Sequence, residues 1–143
     1  TYTAGTDYDI RGRRVRGDGQ PQGASAGFDI AGASTAESFR HPAVTCSETF
    51  GYLVAMEHEA PVTRADVVAR HVMPGQDMAA GELIPLFDYG ELQYSPQVAC
   101  APHGHCLIVI RDTWDPDKLN RWAIRGIPLG VCPHLFLPLV ARE

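Results

Sequence analysis

The residues best able to do chemistry in this chain are the cysteines and histidines of Cys100-Ala-Pro-His103-Gly-His105-Cys106, followed later by Cys132-Pro-His134. Thiolates and imidazoles are the usual ligands of zinc and of iron–sulfur centres. Cys100 and Cys106 flank a short loop, so their sulfurs come close if that loop closes a hairpin. Cys132 with His103 or His134 would then complete a tetrahedral set. The spacing is not two closely spaced ligand pairs, so the favoured readings are plainer ones. Cys100 and Cys106 either staple the hairpin as a disulfide or pack as small apolar side chains, with the histidines in a surface loop.

Two fragments of this cluster have a family likeness. Cys100-Ala-Pro-His103-Gly104 resembles the second ligand box of Rieske iron–sulfur proteins, and Cys132-Pro-His134 resembles the first. The likeness implies a two-iron cluster on Cys100, His103, Cys132 and His134. The order of the boxes is reversed relative to that family, and the chain is not assigned to it on this match.

Other reactive groups have simpler explanations. Ser47 and Ser95 lack the glycine context of a nucleophile elbow. Glu57-His58-Glu59, close to Pro61, reads as a solvated turn that ends a strand. Asp112, Asp115 and Asp117 lack the glycine and distal glutamate of a calcium loop. No phosphate loop or dinucleotide fingerprint is present.

The elements that must hold these groups read as strands. Thr49–Met56, Glu82–Asp88, Glu91–Ala99, His105–Arg111, Ala123–Val131 and Leu135–Val140 are short apolar runs between turn signals. Thr63–Met73 mixes a helix-cap threonine with β-branched Val67, Val68 and Val72, and strand is preferred. The continuous run Leu107-Ile-Val-Ile110 predicts burial on both faces. Asp115-Pro116 through Trp122 predicts one short helix. Trp114 and Trp122 at its ends are candidate core residues or interface anchors. No internal repeat is apparent. The expected fold is mainly β, a small sandwich or barrel-like core with one short helix.

Residues 1–41 differ in texture. They are rich in glycine, poor in core-forming side chains, and carry Arg11, Arg13, Arg14 and Arg16. The expected organisation is an extended Gly/Arg-rich arm over 1–41 and a single β-rich domain over 42–143. Such an arm cannot offset its own ordering entropy and would order on neighbouring subunits. Removing residues 1–40 should then leave a folded core.

At 143 residues, with a net charge of −5, the chain has no general attraction for nucleic acid or anionic membrane. No apolar run reaches a membrane span, and no signal-peptide layout is visible, which suggests the cytoplasm or a virion. The expected function is a non-enzymatic structural subunit, such as a virion decoration or minor capsid or tail protein. Its partners would be protein subunits of the same assembly, most simply further copies. The alternative is a zinc or iron–sulfur accessory subunit of an enzyme complex, built on Cys100, His103, Cys106, Cys132 and His134.

Overall fold

The computed structural model describes residues 8–32, 37–48, 51–60, 66–75, 79–86, 92–113 and 122–129. These residues form eleven strands in antiparallel sheets, and no helix occurs among them. The mainly β expectation holds. The helix expected from Asp115 falls outside the described residues, and Trp122 opens a strand.

The centre is a four-stranded meander of β5 (Ser38–Ser47), β6 (Gly51–Glu59), β7 (Asp66–Val72) and β8 (Ala79–Pro85). On one face lies the pair β1 (Ile10–Gly12) and β4 (Phe28–Ala31). Between these two, β2 (Arg14–Val15) and β3 (Pro21–Gln22) form a small hairpin. On the other face lies a three-stranded sheet of β9 (Gln93–Cys100), β10 (Cys106–Thr113) and β11 (Trp122–Leu129). Pro85 sits on the outer strand β8, where its missing amide breaks no ladder.

Successive side chains of a strand point to opposite faces, so a strand covered on both sides needs an unbroken apolar run. Strand β6 has one in Leu53-Val-Ala-Met56, and β7 has one in Val67-Val-Ala69; all seven residues are buried. Val54, Met56, Val68 and Val72 pack with Ile10, Ile30, Ala31 and Phe39. Leu53, Ala55, Val67 and Ala69 face the other way, onto Cys106, Ile108 and Ile110. The run in β10, expected to be buried on both faces, instead alternates. Ile108 and Ile110 are buried, whereas Leu107 is half exposed because nothing in the chain's described part covers that side.

The extended arm expected over residues 1–41 is not seen among the described residues. Ile10, Ile30 and Ala31 are core members, and Phe28 packs against them. Glycines at positive φ, including Gly23 and Gly27, turn the chain back on itself. A Cβ on Gly27 would run into the Gly12 carbonyl oxygen. Strand β5 runs from Ser38 through Pro42, continuous across the position where the sequence changes texture.

The sheets also repeat one another, which the sequence did not reveal. Pro42 and Pro96, Val44 and Val98, Cys46 and Cys100, and Leu53 and Leu107 are identical pairs at one constant offset. At that same offset stand His41 and Ser95, with φ of 49° and 52°, the non-glycine residues of left-handed backbone among those described. Each lies at a break in register, between Arg40 and Ala43 in one sheet and opposite Val109–Arg111 in the other. Thus β5 corresponds to β9 and β6 to β10. Asp9-Ile10 through Val15 likewise matches Asp66-Val67 through Val72, and Ile10-Arg11-Gly12 recurs as Ile124-Arg125-Gly126. Strands β1, β7 and β11 are therefore one element used three times, in three sheets stacked in the same sense.

Candidate functional site

Cys100 and Cys106 form a disulfide. They are directly opposed in the β9–β10 ladder, where Cβ atoms approach closely enough to bridge. The loop is closed by the Ala101 amide donating to the His105 carbonyl at 2.7 Å, with Gly104 at φ 88° donating to Ala101. His103 and His105 are exposed on it. Fixing so short a loop stabilises the fold by about 2 kcal/mol in the chain-entropy model. It also withdraws both thiolates, so the zinc set and the two-iron set each lose a required ligand. Cys132 and His134 lie outside the described residues. Among the described residues no group of three or more metal-ligating side chains occurs. In the central sheet the corresponding pair is Cys46 opposite Tyr52, and Cys46 is an exposed free thiol.

The most unusual chemistry is at Glu57, where the sequence suggested a solvated turn. Strand β6 continues through Glu59, which carries Glu57 into the gap between the central sheet and β9, where it is buried. The Ser95 amide donates to its Oε1 at 2.6 Å, and His41 Nδ1 lies 2.8 Å from its Oε2. Both partners come from the two left-handed bulges. Such backbone costs on the order of 1–3 kcal/mol per residue and persists where surrounding contacts demand it. Here the demand is visible: each bulge turns a donor onto one buried carboxylate.

Neighbouring groups extend the cluster. Tyr94, next to Ser95, has its hydroxyl pKa raised above 10.0, first by burial and then by the negative charges of Glu57 and Glu59, with Arg111 opposing. The Arg111 guanidinium stands 5.7 Å from the Tyr94 ring centroid. Arg40 pairs with Glu59 at 3.6 Å, and the His58 ring stacks on Phe39 at 4.7 Å. A second bond between sheets runs from the Val67 amide to the buried Gln93 side chain at 3.0 Å. The imidazole of His41 is mostly exposed beside a buried carboxylate, a pairing that can hold a histidine tautomer. The Ser95 amide donates from β9 to a carboxylate of β6, so the arrangement acts as a clasp between sheets. Charge spacing in Glu57-His58-Glu59 could not signal it, because its partners come from distant bulges.

The four arginines lie along the first sheet and its hairpin. Arg11 pairs with Asp29 at 2.8 Å in an exposed bridge, which is worth little. Arg14 is partly buried, and Arg13 and Arg16 are exposed. Beside them opens a cleft of about 550 Å³ lined by Ile10, Phe28, Val44, Tyr52, Val72 and Met73. The cleft exists because the first sheet contributes only β1 and β4 over the face of a four-stranded neighbour. Trp122 pairs with Thr113 at the start of β11, and Trp114 lies outside the described residues. No family model, curated protein or solved structure matches this chain.

Proposed function

We propose that this chain is a non-enzymatic structural module of a larger protein assembly, built of like β-sheets stacked face to face. The supporting observation is the contrast between equivalent positions inside and at the ends of the stack. Tyr52, at the open cleft, is 44% exposed, whereas its counterpart Cys106 is 5% exposed. Leu107, on the opposite end, is 50% exposed, whereas its counterpart Leu53 is 1% exposed. Val44 at the cleft is exposed too, while its counterpart Val98 packs into the core. Exposed apolar groups at positions that are core in the neighbouring sheet support reading these faces as interfaces.

The partners are protein, and the simplest partner is a further copy. The exposed Arg13 and Arg16, on a chain of net charge −5, suit an acidic neighbouring surface at the cleft's edge. With Cys100 and Cys106 joined, the metal-subunit alternative has no observation in its favour among the described residues.

Sedimentation of the intact chain over a wide concentration range tests the proposal. The expected result is reversible, concentration-dependent association. A single monomeric species at every concentration would overturn it.

A further inference from the structure

We infer that the open edge of β1 and the bare face of β5 form a docking site for a β-hairpin supplied by a different protein chain. That hairpin completes the first sheet as β5–β6 completes the central one. This rests on the assembly reading only in taking the partner to be a protein.

Strands β9 and β5 occupy equivalent places but are covered differently. On β9 the alternate residues Pro96, Val98 and Cys100 face the central sheet. Pro96 is fully buried, and Val98 and Cys100 pack against the cluster of Leu53 and Ala55. Both strands of one hairpin cover them. Thr45 of β5 accepts from the Cys100 amide at 3.2 Å, and Glu57 of β6 accepts from the Ser95 amide. On β5 the same positions are Pro42, Val44 and Cys46, and all three are exposed. Nothing equivalent to β5–β6 occurs in the first sheet among the described residues: β1 pairs with β4 alone, whereas β7 pairs with both β8 and β6. The unused edge of β1 opens on the cleft beside Val44 and Tyr52.

The molecule therefore displays the occupant. It is an antiparallel hairpin whose inner strand carries a large aliphatic, a small and a carboxylate side chain at alternate positions, as Leu53, Ala55 and Glu57 stand in β6. Main-chain bonds to β1 supply affinity, and the alternate side chains fix register. Its carboxylate meets the bulge at His41, the counterpart of Ser95, in a pocket of about 400 Å³ that Arg40 also lines. Asp9 lines the same pocket, just as its counterpart Asp66 stands opposite His58, next to Glu57. Both hairpins of this kind in the chain, β5–β6 and β9–β10, are already paired within their own sheets, so the donor is a different chain.

Cys46 is a native reporter on this face. The probe is a cyclic peptide of residues 38–59 carrying Cys46→Ser. A D-Pro-Gly turn closes it between Glu59 and Ser38, which are opposed in the β5–β6 ladder. Alkylation of Cys46 in the full chain by iodoacetamide, located by peptide mass mapping, is followed at the dilute end of the sedimentation series. Labelling should be fast in the free chain and slower by about elevenfold at ten times the peptide's Kd. Val44→Arg in the chain should abolish the protection, as should Leu53→Arg in the peptide. A second form places the same residues 38–59, with Cys46→Ser, directly ahead of Thr1 of the full chain. Residues 1–8 then link the added hairpin to Asp9, where residues 60–65 link β6 to Asp66. Cys46 of the full chain should be protected in this form at every concentration. Cys46 left reactive in the fused form, or with peptide at about 1 mM, the scale of a weak encounter, would overturn the inference. So would protection that survives Val44→Arg. Slow labelling in the free chain would mean that this chain or a second copy covers the face, and would also overturn it. Sedimentation of the chain alone reports self-association and does not depend on the hairpin, so the two proposals fail separately.

Discussion

A chain lacking residues 1–37 is expected to lose its cooperative thermal transition by circular dichroism. The deletion removes Ile10, Ile30 and Ala31 from the core, together with Phe28 packed against them. It leaves Val54, Met56, Val68 and Val72, all buried in the intact chain, facing water. Each large apolar side chain contributes about 1.5–3 kcal/mol on burial, against a total stability of about 5–15 kcal/mol for a domain. Loss of several at once removes most of that margin. Arg13→Ala and Arg16→Ala touch exposed groups of the same segment and should each change stability by less than about 0.5 kcal/mol. A truncated protein melting within a few degrees of the full chain would mean that the first sheet is peripheral after all.

The second large effect is expected at Glu57. Glu57→Ala removes the acceptor of the Ser95 amide and the partner of His41, leaving two left-handed bulges without the contact that holds them. Hydrogen bonds to a charged group contribute roughly 1.5–3 kcal/mol, and a stranded buried donor adds to the loss. Urea denaturation should show a decrease of about 3 kcal/mol. Glu57→Gln keeps an oxygen for Ser95 and an amide for the other tautomer of the His41 ring, so its loss should be less than half as large. Equal losses in the two variants would show that charge, and not the geometry of the clasp, is what matters at this position.

These two effects mark where the sequence was and was not legible. Strand positions from Gly51 onward were largely readable, because runs such as Leu53–Met56 sit between turn signals, and Val67, Val68 and Val72 favoured strand over helix; β5, Ser38–Ser47, was not anticipated. The disulfide was among the plainer readings of Cys100 and Cys106, since cysteines flanking a tight loop meet across it. The first sheet was not legible. Ile10, Phe28 and Ile30 are sparse among glycines and arginines, and their core role depends on a four-stranded face supplied by β5–β8. The opposite expectation, a folded core after deletion of 1–40, followed from composition alone.

The repeat was hidden for related reasons. Between β1 and β4 the chain inserts the β2–β3 hairpin, where β7 and β8 are joined by a shorter stretch of sequence. Apart from a few identities, the repeating feature is backbone: a bulge at His41 and at Ser95, and the same ladder on either side. Glu57 was misread because a carboxylate beside a histidine and a second glutamate looks solvated in one dimension. His41 becomes its neighbour when β5 pairs with β6, and Ser95 only when two sheets stack.

Hydrogen exchange of the intact chain is the most direct measurement of the central claim, that β5–β8 is the middle layer of a stack buried on both faces. Amides of Leu53–Met56 and Val67–Ala69 are predicted to be the slowest in the molecule, opening only with global unfolding. Those of Leu107–Ile110, in a sheet with one open face, should exchange sooner. Slowest exchange confined to β10, with β6 and β7 exchanging early, would contradict the stacked arrangement and the assembly reading built on it.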